Sequence, residues 1–126
     1  MKRMTKGFAA GAALLLGVSA TAFAGFHQAQ QVVIIDASSF ANGDLGYVHN
    51  TPDSIQYIGC TTSGSSASCF ARNLAGLSRS CSTSNPTMLA ALHALNGDSY
   101  LIFGWNPSGQ CTFISVHNGS LTAQKN

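Results

Sequence analysis

Four cysteines, at positions 60, 69, 81 and 111, constrain the fold of this 126-residue chain more than any other feature. Cysteines at this density in a short chain are typical of exported domains whose core is too small to hold the fold without cross-links. A structural zinc site needs closely spaced ligand pairs, whereas these cysteines are separated by eight, eleven and 29 residues and form no C-x-x-C motif. The sequence therefore predicts two disulfides and no metal site.

Three pairings of the four cysteines are conceivable. Residues 64–65 (GS) are typical of a hairpin tip, which would place Cys60 opposite Cys69. A turn in the next connection would instead place Cys69 opposite Cys81. We favour Cys60 with Cys69 and Cys81 with Cys111, because this pairing closes one local hairpin and one long loop. On the chain-entropy argument these loops contribute about 2.7 and about 3.7 kcal/mol of stability.

Residues 1–24 have the three parts of a cleavable export signal: a basic start, a short apolar run and a small-x-small cleavage site (AFA). The apolar run is too short to span a bilayer, which takes roughly 20 residues. We expect a secreted or periplasmic mature chain, residues 25–126, without a membrane span. It is long enough for one domain with a modest core. Its ends, 25–31 and 122–126, are expected to be loose.

The mature chain carries very little charge. Three of the six basic residues belong to the signal, so Arg72, Arg79 and Lys125 remain against four aspartates and no glutamate, a formal charge of −1. Nucleic-acid binding needs clustered Lys and Arg and is therefore not expected. A neutral surface of Ser, Thr, Asn and Gly repels itself weakly and would tolerate self-association.

One helix is predicted over about 86–95. Asn85 or Ser84 can cap it, Pro86 suits its first position, and Asn96-Gly97 supplies a stop. Its leucines and Met88 form an apolar stripe, which predicts packing against a sheet.

The clearest hairpin joins strands over 98–105 and 110–117 through a type I turn at 106–109 (NPSG). The first strand is apolar on both sides, which favours the centre of a sheet. The predicted register pairs Trp105 with Gln110, Phe103 with Thr112, Leu101 with Ile114, and Ile102 with Phe113.

Weaker strand signals precede the helix. They indicate a buried strand over 32–35, turns over 38–46, and further strands over 47–49, 54–61 and 68–73 around a flexible connection at 62–67. The predicted fold class is therefore α+β: a small, mainly antiparallel sheet domain with one helix, stapled by two disulfides.

Familiar catalytic motifs are missing. The lack of glutamate excludes paired-Glu glycosidase machinery and HExxH metalloprotease helices, and no G-x-S-x-G, GxGxxG or phosphate-loop motif occurs. Each aspartate stands beside a turn signal, which favours capping of backbone donors. No cofactor is predicted.

The histidines offer the one enzymatic alternative. His49 and His117 could form a general acid/base pair with Asp53 as its orienting group. His27 falls in the loose start, and His93 lies where a helix C-terminus favours positive charge. Aromatic residues at 47, 57, 100 and 105 would form a binding surface only if several faced outward, and core packing is favoured instead.

The stretch 46–120 resembles a family of small exported bacterial proteins with no assigned function. The resemblance rests on the motifs QYIGC (56–60), CFARN (69–73), Cys81, NP (85–86), DSYL (98–101) and GQC (109–111). It implies an exported protein and brings no catalytic or ligand-binding residues with it.

These patterns favour a non-catalytic binding or structural component outside the cytoplasm, with a protein or glycan as partner. One alternative is a small secreted hydrolase that uses His49 or His117 with an aspartate. Another is a secreted inhibitor or toxin that presents a loop over 61–68. Converging histidines and an aspartate would favour the enzyme, whereas a continuous exposed aromatic or Ser/Thr face would favour binding.

Overall fold

The computed structural model describes residues 29–122 and 124–125. The predicted export signal and His27 lie outside these residues. Two helices, α1 (Leu45–Asn50) and α2 (Pro86–Leu92), and a 3-10 turn (Asp36–Ser38) accompany seven strands. The strands are β1 (Val33–Ile35), β2 (Phe40–Asp44), β3 (Tyr57–Ser63), β4 (Ser66–Arg72), β5 (Ser78–Thr83), β6 (Tyr100–Trp105) and β7 (Cys111–His117).

The strands form two antiparallel sheets. One has the order β1-β2-β6-β7 and the other the order β3-β4-β5. The predicted fold class, a mainly antiparallel α+β domain with one main helix and two disulfides, is confirmed. The prediction that β6 lies inside its sheet is also confirmed, because β2 and β7 flank it.

The core lies between the two sheets and is built from alternate strand residues. Ala41, Leu101 and Phe103 of the larger sheet are fully buried and pack in one cluster with Ala71 of the smaller sheet. The sheets approach closely at Gly43, where an added Cβ would lie 3.4 Å from the Ile58 side chain. Because strand residues alternate between faces, every second residue is left on the outer side.

The smaller sheet places three cysteines side by side. Cys69 lies opposite Cys60 on one side and opposite Cys81 on the other. In an antiparallel sheet, a residue of the middle strand directs both its backbone N–H and its C=O to the same neighbouring strand. It therefore forms a hydrogen-bonded pair with the residue on that strand, and a non-hydrogen-bonded pair, with closer Cα atoms, with the residue on the other strand. The Cα atoms of Cys60 and Cys69 are 4.0 Å apart, which identifies theirs as the closer pair. Cys69 therefore forms its disulfide with Cys60.

The second disulfide joins the two sheets. Cys81 of β5 is bonded to Cys111 of β7, with their Cα atoms 4.9 Å apart. Two neighbouring contacts support the junction: the backbone N–H of Ser82 donates to the carbonyl of Gly109 at 3.0 Å, and Arg79 forms an ion pair with Asp36 at 2.5 Å. The disulfide thus fixes the sheets where the hairpin turn of the larger one meets β5.

Helix α2 begins as predicted and ends earlier than predicted. The side chain of Asn85 accepts hydrogen bonds from the backbone of Thr87 and Met88, and Pro86 occupies the first position. Beyond Leu92 the backbone continues in i to i−3 turns up to Leu95, so the last turn tightens rather than extending the α-helix.

The β6–β7 hairpin has the predicted turn, but its predicted register is wrong. Gly109 closes the turn by donating to the Asn106 carbonyl at 3.0 Å. A β-bulge beside Gly104 then shifts the pairing of the two strands. Trp105 pairs with Cys111, whereas the preceding residue, Gly104, pairs with Phe113, so the pairing skips residue 112. Beyond the bulge apolar residues face each other on the core side: Phe103 opposite Ile114 and Leu101 opposite Val116.

Three local predictions are wrong because tertiary contacts override local signals. Residues 40–44 form a strand rather than a turn: Asn42 is buried and accepts a hydrogen bond from Gln30 at 2.8 Å. Residues 47–49 belong to α1, which Asp44 caps. The strand at 33–35 lies at a sheet edge, and Ile35 is 38% exposed.

Candidate binding surface

The outer side of the β3-β4-β5 sheet is lined by hydroxyl groups. Its core side carries Ile58, Ala71 and the cysteines, so the alternate positions point away from the core. We call this outer side the hydroxyl face; besides Gly59 it comprises Tyr57, Thr61, Ser63, Ser66, Ser68, Phe70, Arg72, Ser78, Ser80 and Ser82. Seven of these are Ser or Thr, and all seven except half-buried Ser68 are exposed.

Strand geometry sets the spacing of these hydroxyl groups. Neighbours across strands are about 4.8 Å apart, and successive outward residues along one strand about 6.7 Å apart. Three contacts use some of these groups: Ser68 Oγ lies 3.3 Å from Ser82 Oγ, Ser66 Oγ donates to the Ser63 carbonyl at 3.2 Å, and Ser78 Oγ lies 3.4 Å from the Tyr57 hydroxyl. Since a hydroxyl both donates and accepts, the exposed groups retain hydrogen-bonding capacity for a ligand.

An aromatic pair adjoins the hydroxyl groups. The rings of Tyr57 and Phe70 meet edge to face with centroids 5.8 Å apart. Gly59 lies under the Phe70 ring, which would be 3.5 Å from an added Cβ, so the ring lies flat against the sheet. Tyr57 is 42% exposed, and its hydroxyl lies 3.4 Å from Ser78 Oγ. Its ring is therefore open to a ligand at one end of the face.

The described residues include two arginines, and they differ in their partners. Arg79 is engaged by Asp36 through both Nε and Nη2. Arg72, in the middle strand of the hydroxyl face, lies between Tyr57 and Ser78. Its Nε is buried and has no hydrogen-bond partner. The hydroxyl face therefore contains a cation whose Nε has no partner among the described residues.

The two candidate catalytic histidines line different cavities. His49, at the end of α1, shares a groove of about 390 Å³ with Asp53. Backbone and side-chain hydrogen bonds from Gln56 and a backbone bond from Ile55 hold the pKa of Asp53 well below its ordinary value. Asp53 thus has the turn-capping role that its sequence context predicts.

His117 lies at the other sheet, at the end of β7. It forms one cross-strand row with Asp44 and Tyr100, and the three line a cavity of about 140 Å³. Burial, and secondarily the Asp44 carboxylate, raises the pKa of Tyr100. Tyr100 stands between the other two in the row, and Asp44 caps α1 by accepting from the Tyr47 backbone. The predicted joint site of His49, His117 and Asp53 is not assembled.

One histidine contact is not apparent from sequence. Ser115 Oγ lies 2.9 Å from His117 Nε2, because residues two apart on a strand share one face. His117 is exposed to water, and the cavity beside Tyr100 is small. This pair gives no pocket in which a substrate would be enclosed.

The predicted loop over 61–68 is wrong. Thr61–Ser63 and Ser66–Ser68 continue the paired strands, and only Gly64 and Ser65 form the turn. Gly64 has φ +59°, which a glycine adopts without strain. These positions therefore add to a flat sheet surface rather than to a protruding loop. The concentration of Ser and Thr in this stretch, at 61–63, 65, 66 and 68, is the signal by which the hydroxyl face could have been found.

The chain was compared with protein-family models, with curated proteins and with solved structures, and none matches. Within the described residues, no helix has the length and apolar character needed to cross a membrane. Over the same residues, no three or more His, Cys, Asp or Glu side chains cluster as a metal site would require. Fold and site thus define the class: a small disulfide-stabilised α+β protein, whose cross-links are compatible with an extracellular location.

Proposed function

We propose that this protein is an exported, non-catalytic binding protein whose hydroxyl face binds a polysaccharide in the periplasm or outside the cell. The observation that carries the proposal is the combination of seven Ser and Thr side chains with an exposed aromatic ring on one sheet face. Arg72 is the only charged residue among the outward positions of this sheet, which suits a ligand made mostly of neutral hydroxyl groups. Arg79, which is paired with Asp36, lines a groove beside Tyr57 and Phe70.

Sugar chemistry matches these side chains. A pyranose ring presents hydroxyl groups at its edge and apolar C–H groups on its faces. Ser and Thr hydroxyls can donate to and accept from the edge, while an aromatic ring such as Tyr57 packs against the C–H face. A flat, repeating array fits an extended chain better than a single sugar, because successive units meet equivalent groups along the strands.

The fold supplies rigidity to this surface. The Cys60–Cys69 disulfide lies on the core side of β3 and β4, directly beneath the outward positions. Cys81 anchors the third strand to the other sheet. A surface that is ordered before binding loses little conformational entropy on binding, so many weak hydrogen bonds can add up to useful affinity.

A matched pair of aromatic variants tests the proposal. Tyr57→Ala removes a ring that is 42% exposed on the hydroxyl face, and Phe113→Ala removes one that is 43% exposed on the other sheet. We would measure binding of the mature chain to cellulose, chitin and a pectin gel by depletion from solution. Melting curves would verify that each variant is folded.

We expect the wild type to bind at least one of these polymers. Tyr57→Ala should weaken that binding about tenfold, the order expected for a lost aromatic contact, whereas Phe113→Ala should leave it unchanged. A second matched pair, Thr61→Val on the hydroxyl face and Thr112→Val on β7, removes one exposed hydroxyl each at nearly constant shape. Equal effects of the two members in both pairs, or no binding by the wild type, would refute the proposal.

A further inference from the structure

Arg72 is the feature of the hydroxyl face that a neutral polysaccharide leaves unexplained. It is half-buried in the middle strand, with Tyr57 and Ser78 as its cross-strand neighbours. Its Nε is shielded from water and has no hydrogen-bond partner. An unsatisfied buried donor on a charged group is costly to folding. Among the described residues the Arg72 guanidinium is thus left without a partner for this donor.

No carboxylate of residues 29–122 and 124–125 pairs with this arginine. None of the outward positions of the sheet is Asp or Glu. Each of the four aspartates is engaged elsewhere: Asp36 with Arg79, Asp44 at the start of α1, Asp53 with Gln56, and Asp98 with the backbone of Lys125. The positive charge on the hydroxyl face is therefore not compensated by the residues described.

The connection between β4 and β5 packs close to the guanidinium. Gly76 has φ +87°, and a Cβ added there would lie 3.4 Å from Arg72 Nη2. Glycine adopts this positive φ without strain, so the connection approaches the guanidinium with no side chain between them.

We propose that Arg72 binds a carboxylate, so that the ligand of the hydroxyl face is an acidic polysaccharide containing uronate residues. This inference rests on the proposed function. Guanidinium presents parallel N–H donors in a plane, and a carboxylate accepts two of them at once. The carboxylate of a uronate is attached directly to the sugar ring. A ring packed on Tyr57 can therefore hold its carboxylate against the neighbouring Arg72.

Sulfate esters offer a guanidinium the same anionic oxygens, so the test must separate the two sources of charge. We would compare polygalacturonate, the same polymer after reduction of its carboxyl groups to alcohols, and a sulfated polysaccharide of similar length. The proteins are the wild type, Arg72→Gln, Arg72→Lys and Arg79→Gln. The last variant is the matched control, because it removes an arginine of the same sheet that is already paired with Asp36.

The wild type should bind polygalacturonate about tenfold more tightly than the reduced polymer, as expected for one charge-assisted contact. Arg72→Gln should abolish this preference while keeping affinity for the reduced polymer, and Arg72→Lys should restore it only in part, because lysine lacks the planar pair of donors. Arg79→Gln should retain the preference.

Equal binding of the two polymers by the wild type would overturn the inference and leave the proposed function intact. Preference for the sulfated polymer over polygalacturonate would overturn the assignment to a carboxylate. If Arg72→Gln retained the preference, a group other than Arg72 would bind the carboxylate, and the inference would be overturned. Failure of the wild type to bind any polymer would overturn the proposed function as well.

Discussion

The ring of Phe113 occupies the space into which any side chain at Gly104 would project. A Cβ built on Gly104 would lie 2.8 Å from Cδ1 of Phe113 and equally close to the hydroxyl of Thr112. The two residues are cross-strand partners beside the β-bulge, on the outer side of the larger sheet. Position 104 thus requires glycine because the Phe113 ring packs closely against it. The turn glycines at 64, 76 and 109 differ, because they have positive φ angles.

Replacement of Gly104 by alanine should therefore destabilise the protein. Phe113 or the bulge would have to move, and overpacking of this kind costs about 1–3 kcal/mol. Urea denaturation of Gly104→Ala against wild type measures the change. Gly119→Ala is the control, since nothing lies within 4 Å of its added Cβ. A stability of Gly104→Ala equal to that of the control would contradict the packing argument.

The two disulfides should contribute unequally to stability. Cys81–Cys111 spans 30 residues and joins the sheets, whereas Cys60–Cys69 spans nine within one hairpin. Loop entropy predicts losses of about 3.7 and about 2.7 kcal/mol for the respective double alanine variants. Guanidinium-induced unfolding of both variants checks the order. A larger loss from the hairpin pair would mean that strain or packing, rather than loop length, decides the contribution.

Stability should fall in acid through Asp53. Its hydrogen bonds from Gln56 and Ile55 lower the pKa of the folded state below the unfolded value. The stabilisation is thus fully present above about pH 4, the ordinary range of an aspartate, and is lost as the pH falls toward the folded pKa. Melting temperatures of the wild type should drop over this interval.

Asp53→Asn should show a smaller drop, because the substituted amide does not titrate. The linkage would be disproved by a wild type and an Asp53→Asn variant whose melting temperatures fall in parallel.

The parts of the fold that follow from local chemistry could be predicted. Turn signals at 64–65 and 106–109 place both hairpin tips correctly, and the capping pattern at Asn85 places the start of α2. The register of β6 with β7 could not be predicted, since the bulge depends on how Phe113 packs over Gly104. The strand at 40–44 likewise depends on a partner twelve residues away, Gln30.

The candidate site likewise has one part that the sequence indicates and another part that it does not. The hydroxyl face is visible in the sequence as Ser at every second position of 78–82, the spacing of one sheet face, and as a high density of Ser and Thr over 61–68. Arg79 has a carboxylate partner because the 3-10 turn brings Asp36 to β5. No carboxylate in the described part of the chain pairs with Arg72. Tertiary contacts of single charged groups leave no periodic signal in a sequence.

The alternation of cysteine and serine in Ser80-Cys81-Ser82 and Ser68-Cys69-Phe70 has an evolutionary consequence. Positions that hold the domain together and positions that meet the exterior are interleaved in sequence, yet they lie on opposite sides of one sheet. Selection can therefore change the outward residues one at a time without touching the cross-linked layer. If the proposed function holds, a lineage that meets a new polymer can adapt its recognition at these sites while inheriting the scaffold intact.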